Sequence, residues 1–255
     1  MRLELMTSSA VESYLGKASG IVIPVGTTEQ HGPDGLIGTD FLCPEVIARR
    51  FGERSGALIG PTMAYGMSHF QLGFSGSVSL RPSTLAAMAH DIVASLAVTG
   101  FTRIYFLNGH GGNLAPLRAG IHEFYAARSM SGVTEPAPVH CRIKSWWELA
   151  AADTLRKELY GSSEGSHATP SEVAVTMAAH PDAIKPFTRP APPPVTDTII
   201  HAGDNYFDAA DFRRRYADGR VASHSALATP EAGERLIEAA VASLADDFEA
   251  FCASV

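Results

Sequence analysis

Cysteine is scarce in this 255-residue chain, and basic charge is in deficit: three cysteines, and 20 Lys plus Arg against 27 Asp plus Glu, for a formal charge of -7. Cys43, Cys141 and Cys252 are far apart, odd in number and form no CxxC pair. They exclude a disulfide framework and fit a reducing cytosol. The acidic balance argues against a nucleic-acid partner, which requires a basic field. No apolar run reaches membrane-spanning length before charge, Gly or Pro breaks it. The opening Met1-Arg2-Leu3-Glu4-Leu5-Met6 lacks the basic-then-apolar order of a signal peptide. The expectation is a soluble cytoplasmic protein that uses neither membrane nor nucleic acid. What the chain does have is 45% hydrophobic residues and enough length for one sizeable core, expected as a single domain over residues 1–255.

Short apolar runs alternate with helical patterns. Residues 20–26 read as a buried strand, being continuous, β-branched and bounded by glycines. Residues 41–54 have helical spacing, with Asp40 placed to cap them. Residues 57–61 and 103–107 read as further strands. Residues 82–99 form a helical pattern opened by Ser83 or Thr84 and closed by Gly100, and residues 114–129 form another. Strand, polar loop and helix in repeated order predict an α/β fold, a three-layer α/β/α sandwich with a mostly parallel central sheet. Ligands of such sheets sit where loops leave the carboxyl ends of the strands. Further on, residues 146–159 and 171–180 read as helices, the latter ended by Pro181. The proline-rich residues 189–195 read as an extended surface connection or subunit contact. Residues 229–251 form an amphipathic helix started by Thr229-Pro230-Glu231.

Two loops concentrate the chemistry, and each follows a strand. In residues 27–40, Glu29, His31 and Asp40 lie among glycines that let the backbone fold them together. Carboxylate plus imidazole is the ligand mix for Zn, Mn or Fe in a hydrolytic site. The competing reading is a solvated loop whose Asp40 caps a helix. The second loop is Asn108-Gly109-His110-Gly111-Gly112-Asn113, where small residues permit close approach to a charged group. It has neither Walker nor GxGxxG spacing and no phosphate-reaching Lys, so it does not read as a phosphate cradle. A third segment, residues 165–172, carries His167 and Glu172, which serve either as acid or base and further carboxylate, or as an incidental His beside a capping turn. Among the other histidines His69 is the one kept as a pocket residue. Trp146-Trp147 either line a pocket or pack in the core.

These motifs together resemble the creatininase (creatinine amidohydrolase) family over almost the whole chain. Glu29-Gln30-His31-Gly32-Pro33-Asp34 with Gly38-Thr39-Asp40 is similar to its first signature, with Asp34 where the family usually has His. Asn108 to Asn113 matches the second intact, in its Asn-Gly-His-Gly-Gly-Asn form, and His167-Ala168 with Glu172 the third. The resemblance implies a two-metal hydrolase, Zn with Zn, Mn or Fe. Asp40 would bridge, Glu29 and His110 would serve one ion and His31 the other, and His167 would transfer protons. It also implies a cytoplasmic homo-oligomer, commonly a hexamer. True creatininases carry a metal-binding Glu where this chain has Gly112, so Glu172 is the expected substitute on the His31 ion. The Gly-Gly form argues against creatinine itself. The expected activity is hydrolysis of a non-peptide C–N bond in a small cyclic amide or formamide. The alternatives are a peptidase acting on a peptide-derived cofactor precursor, and a non-catalytic metal-binding member of the family.

Overall fold

The computed structural model describes residues 1–132, 138–183 and 208–254. The proline-rich segment 189–195 and His201 lie outside the described residues. Four strands, β1 (Gly20–Val25), β2 (Leu58–Ile59), β3 (Arg103–Asn108) and β4 (His140–Ser145), form one sheet in the order β2-β1-β3-β4. Every pairing is parallel, with Ile21 opposite Leu58, Val25 opposite Asn108 and Asn108 opposite Ser145. Parallel strands need crossovers, and helices supply them. Helix α1 (Ser8–Leu15) precedes β1; the crossovers are α2 (Thr39–Ser55), α3 (Pro82–Val98) and α4 (Leu114–Met130); and α5 (Ala150–Tyr160), α6 (Pro170–Ala179), α7 (Ala209–Arg215) and α8 (Pro230–Ala253) follow β4.

Alternation along the strands divides the core in two. Ile21, Ile23, Val25, Ile104 and Phe106 face α1, α3 and α4, packing on Leu85, Val93, Leu117 and Phe124. Val22, Tyr105 and Leu107 face α2, α5, α6 and α8, meeting Ile47, Phe51, Val173, Leu236 and Leu244. A sheet with both faces covered explains why β1 and β3 read as continuous apolar runs. The chain leaves β1 toward β2 on one side and later enters β3 on the other. The crevice at the carboxyl ends of β1 and β3 is therefore the switch point where α/β sheets bind ligands.

The structure departs from the sequence reading at several elements. The expected 57–61 strand is only Leu58–Ile59. The 146–159 helix is split: a 3-10 turn, Trp146–Glu148, is held by a Ser145–Glu148 capping box, and α5 starts only after the extended Leu149. Trp146 is buried within the core, so of its two readings the packing one holds. β4 escaped notice because His140-Cys141-Arg142-Ile143-Lys144-Ser145 is a half-buried edge strand whose polar side chains hide its period. Helix α7 and helix α1 also went unread. Asp40 does not cap α2: Gly38 is the N-cap, and the Asp40 carboxylate turns into the crevice. Among the described residues, no helix is long and apolar enough to cross a membrane.

Candidate metal centre

Close backbone contact builds the crevice. Gly26 ends β1 and Gly109 follows β3, and the first turn of α2 lies directly on both. A Cβ on Gly26 would stand 2.3 Å from the Asp40 carbonyl oxygen, and one on Gly109 only 1.8 Å from it. Pro44, inside α2, has no N–H to give that carbonyl, so the helix itself makes no claim on it. Two asparagines then pin the loops. Asn108 Nδ2 donates to the His110 carbonyl at 2.8 Å, and His110 N donates back to Asn108 Oδ1 at 3.2 Å. Asn113 Nδ2 donates to the Gly26 carbonyl at 3.0 Å, while its Oδ1 accepts from Met67 N at 3.0 Å. Residues 66–67 are thereby tied to both motif loops.

Glu29, His31, Asp40, His110, His167 and Glu172 all arrive in this one crevice, and all are buried or nearly so. Asp40 stands at its centre: Oδ1 is 2.9 Å from His31 Nε2, and Oδ2 is 2.8 Å from His110 Nδ1. Glu29 Oε1 lies 3.5 Å from His110 Nδ1 and 3.4 Å from His167 Nδ1, and has no hydrogen-bond partner of its own. Its other oxygen accepts from the Ser68 hydroxyl. Glu172 Oε1 is 3.7 Å from His31 Nε2.

Each imidazole is anchored from behind by a main-chain carbonyl. His31 Nδ1 lies 3.1 Å from the Glu29 carbonyl, His110 Nε2 lies 3.0 Å from that of Met67, and His167 Nε2 lies 2.9 Å from that of Gln30. For His31 and His110 the nitrogen facing the carbonyl is the protonated one, and in all three rings the opposite nitrogen is turned toward the carboxylates. Metal-binding histidines are held in this way. Three overlapping groups have ligand atoms within 4.8 Å of one another: Glu29, Asp40 and His110; His31, Asp40 and Glu172; Glu29, His31 and His167. Asp40 belongs to the first two, with one oxygen turned to each.

Electrostatics match the crowding. Burial raises the Glu29 carboxyl to about 8, with Asp40 adding to the rise and the imidazoles opposing it. Burial likewise raises Glu172 to about 7 against the opposing pull of His31. Burial also opposes charge on Asp40, but His31 and His110 overcome it and hold that carboxyl well below the usual range. The first turn of α2 adds its positive end to the same effect. For His31, burial lowers the value and the carboxylates of Asp40, Glu172 and Glu29 more than reverse it, to about 10; His110 reaches about 9 in the same way. His167 behaves oppositely: burial and the neighbouring His31 hold it well below its ordinary value. Neutral His167 can accept a proton, whereas the other two need a cation or a proton between themselves and the carboxylates.

Glu172 caps its helix and faces the crevice with the same carboxylate. Thr169 and Glu172 form the reciprocal capping box of α6, with Glu172 N donating to Thr169 Oγ1 at 3.3 Å, and the same carboxylate reaches His31. Gly112 has no room for a side chain, since a Cβ there would stand 2.5 Å from His110 Nε2 and 2.7 Å from the Met67 carbonyl oxygen. The second carboxylate facing His31, beside that of Asp40, comes from α6. Asp34 is buried and accepts from Ser225 Oγ at 3.0 Å. His69 is exposed on the 3-10 turn His69–Gly73, with Nδ1 3.3 Å from Met67 Sδ. Its neighbour Phe70 lies nearer the centre, 6.5 Å from the His110 ring. Ser68, Gln71 and the strap 216–225, which pairs Val221 with His167, went unremarked. Only the proximity of Ser68 and Gln71 to His69 hinted at them.

A parallel three-layer fold with buried carboxylates and imidazoles at its switch point defines a metallohydrolase-type α/β protein. The family profile described as creatininase, creatinine amidohydrolase, matches residues 4–248, and the chain belongs to that family. It is 28% identical to a creatinine amidohydrolase of Pseudomonas putida over 235 residues, covering 89% of this chain and 87% of that protein. It is also 28% identical to a mycofactocin precursor peptide peptidase of Mycolicibacterium smegmatis over 240 residues, 89% of this chain and 83% of that one. The solved structure described as creatininase Mn superposes with a TM-score of 0.80 at 26% identity, covering 99% of each chain. Creatininases hydrolyse C–N bonds, and this chain is a hydrolase of that kind.

Proposed function

We propose that the chain is a two-metal amidohydrolase acting on a non-peptide C–N bond of a small cyclic amide or formamide. The observation that carries this is the arrangement of the imidazoles: each is anchored on a main-chain carbonyl, with its other nitrogen turned into three buried carboxylates. That arrangement is adverse without cations and favourable with them. Glu29, Asp40 and His110 would hold one ion, and His31, Asp40 and Glu172 the other, with Asp40 shared. When bound, the ions supply Lewis acidity toward an amide carbonyl and toward water. His167, held neutral and facing Glu29 Oε1, takes a proton as the carbonyl is attacked and returns it to the leaving nitrogen. Phe70 and Phe212 cover one flank of the two histidines, and such walls keep bulk water from the reacting atoms.

Zn paired with Zn, Mn or Fe, a cytoplasmic location and homo-oligomeric assembly, commonly hexameric, belong to the same proposal on family grounds. The peptidase relative supports a second reading, cleavage of a peptide-derived cofactor precursor, with the same 28% identity over 240 residues against 235. A non-catalytic role conflicts with the gathering of Glu29, His31, Asp40, His110 and Glu172 beside His167 in one crevice. The deciding experiment is metal analysis of protein purified without chelator, followed by a screen against creatinine, formamidopyrimidines, other cyclic amides and short peptides. Turnover of cyclic amides or formamides alone supports the proposal. Release of amino acids would transfer it to the peptidase reading, and absence of divalent metal would overturn it.

A further inference from the structure

Given the proton-transfer role proposed above for His167, one further group decides which ring nitrogen performs it. His167 Nε2 lies between two opposed neighbours: the Gln30 carbonyl oxygen at 2.9 Å, which requires N–H there, and the Gln30 side-chain Nε2, also at 2.9 Å, which would require a lone pair. The two cannot both be satisfied. What settles the conflict is where the Gln30 amide spends its hydrogens. Its Oε1 accepts from Gly32 N at 2.7 Å, which fixes the orientation of the amide. Its Nε2 then donates one hydrogen to Gln71 Oε1 at 2.6 Å and the other to the Gly219 carbonyl at 3.1 Å. An amide nitrogen has only two hydrogens, so none is left for His167. The Gln71 amide nitrogen makes a longer donor contact to His167 Nε2, at 3.3 Å, weaker than the Gln30 carbonyl contact that opposes it and removed along with the acceptor in a Gln71→Leu variant.

We infer that Gln71 is a positioning residue: by occupying the Gln30 amide it keeps His167 in the Nε2–H tautomer and so makes Nδ1 the nitrogen that exchanges protons in the crevice. Gln71 is fully buried, and the Gln30 amide it holds is gripped closely. A Cβ on Gly219 would stand only 1.9 Å from Gln30 Oε1. Nδ1 faces Glu29 Oε1 at 3.4 Å, on the side of the proposed metal ligands. Loss of the Gln71 acceptor frees one Gln30 hydrogen for His167 Nε2. The ring would then turn to its Nδ1–H tautomer, which has no lone pair toward the crevice.

The test compares Gln71→Leu, which removes the acceptor, with Gln71→Glu, which keeps it and places a second acceptor against Nε2–H. Protein with 15N-labelled histidine is observed by two-bond nitrogen–proton correlation, with a His167→Gln difference spectrum assigning the ring. The parent and Gln71→Glu should show His167 as Nε2–H, and Gln71→Leu as Nδ1–H. On a substrate found by the screen above, Gln71→Leu should lose about 10- to 100-fold in kcat with KM and bound metal unchanged, and Gln71→Glu should stay near the parent. An unchanged tautomer in Gln71→Leu, or a Gln71→Glu protein that behaves like it, overturns the inference. The tautomer measurement needs neither metal nor substrate, so it stands even if the hydrolase proposal fails. A flipped tautomer with undiminished kcat would instead remove His167 from proton transfer.

Discussion

Replacing Glu172 separates the two tasks that one carboxylate performs. As the last member of the α6 capping box it accepts from Thr169 N, and as the neighbour of His31 Nε2 at 3.7 Å it would complete the second ion site. Glu172→Gln keeps an oxygen for the cap and removes the charge; Glu172→Ala removes both. Loss of the cap costs about 1 kcal/mol, which for a chain of this size lowers Tm by about 2–4 °C. Loss of the carboxylate leaves only His31 and one Asp40 oxygen on that ion, and affinity there should fall by at least about 100-fold. The charge effect on the chelated protein runs the other way. The folded pKa of about 7 lies above the ordinary 4.5, so this group's contribution to stability is present below 4.5 and is lost as pH rises through 7. At pH 8, chelated Glu172→Gln should therefore melt no lower than the parent, and chelated Glu172→Ala a few degrees below Glu172→Gln. Equilibrium dialysis against buffered Zn, followed by elemental analysis, should show two ions per chain in the parent and one in both variants. A Glu172→Gln protein that holds two ions with parental affinity would make Glu172 a cap alone and refute the assignment.

Gly109→Ala places a methyl group where the Asp40 carbonyl already lies, so it should displace the shared carboxylate and lower the affinity of both ions; isothermal titration against Zn reads this, and unchanged affinity would contradict the packing argument. His110→Ala should abolish metal binding on the Glu29 side together with activity, whereas His167→Ala should keep its metal and lose about 100-fold or more in kcat; metal loss in the latter would make His167 a ligand. In chelated protein at pH 7, His31, His110 and Glu29 (about 10, 9 and 8) all hold protons that a metal must displace. Glu172, at about 7, holds about half of one more. Loading should therefore release about three to four protons per chain, with affinity climbing as pH rises toward 8; calorimetry in buffers of different ionisation enthalpy would count them, and a count near zero would refute the ligand set.

Most of the centre was legible without coordinates because its parts are local. Glycines, carboxylates and histidines stand within short loops that follow continuous apolar strands, and parallel order brings such loops to one edge. The elements that escaped were those whose signal is not local. β4 is an edge strand formed by its register with β3, and Asp40 reads as a cap until the direction of its side chain is known. Gln71 carries no motif, and its place follows from Gln30, 41 residues away, whose amide also reaches Gly219, 189 residues from Gln30.

Composition, strand and loop order and the three motifs determine by themselves that this is an α/β hydrolase of the creatininase family with clustered carboxylates and imidazoles, because those features depend on residue type and short spacing. Tertiary structure alone decides that Asp40 faces two histidines with different oxygens, that Gly112 has no room for a side chain while the Glu172 carboxylate reaches His31 from α6, and that the Gln30 amide is already spent. Those outcomes depend on atoms brought within 2 to 4 Å from distant segments, and spacing along a chain carries no such distance.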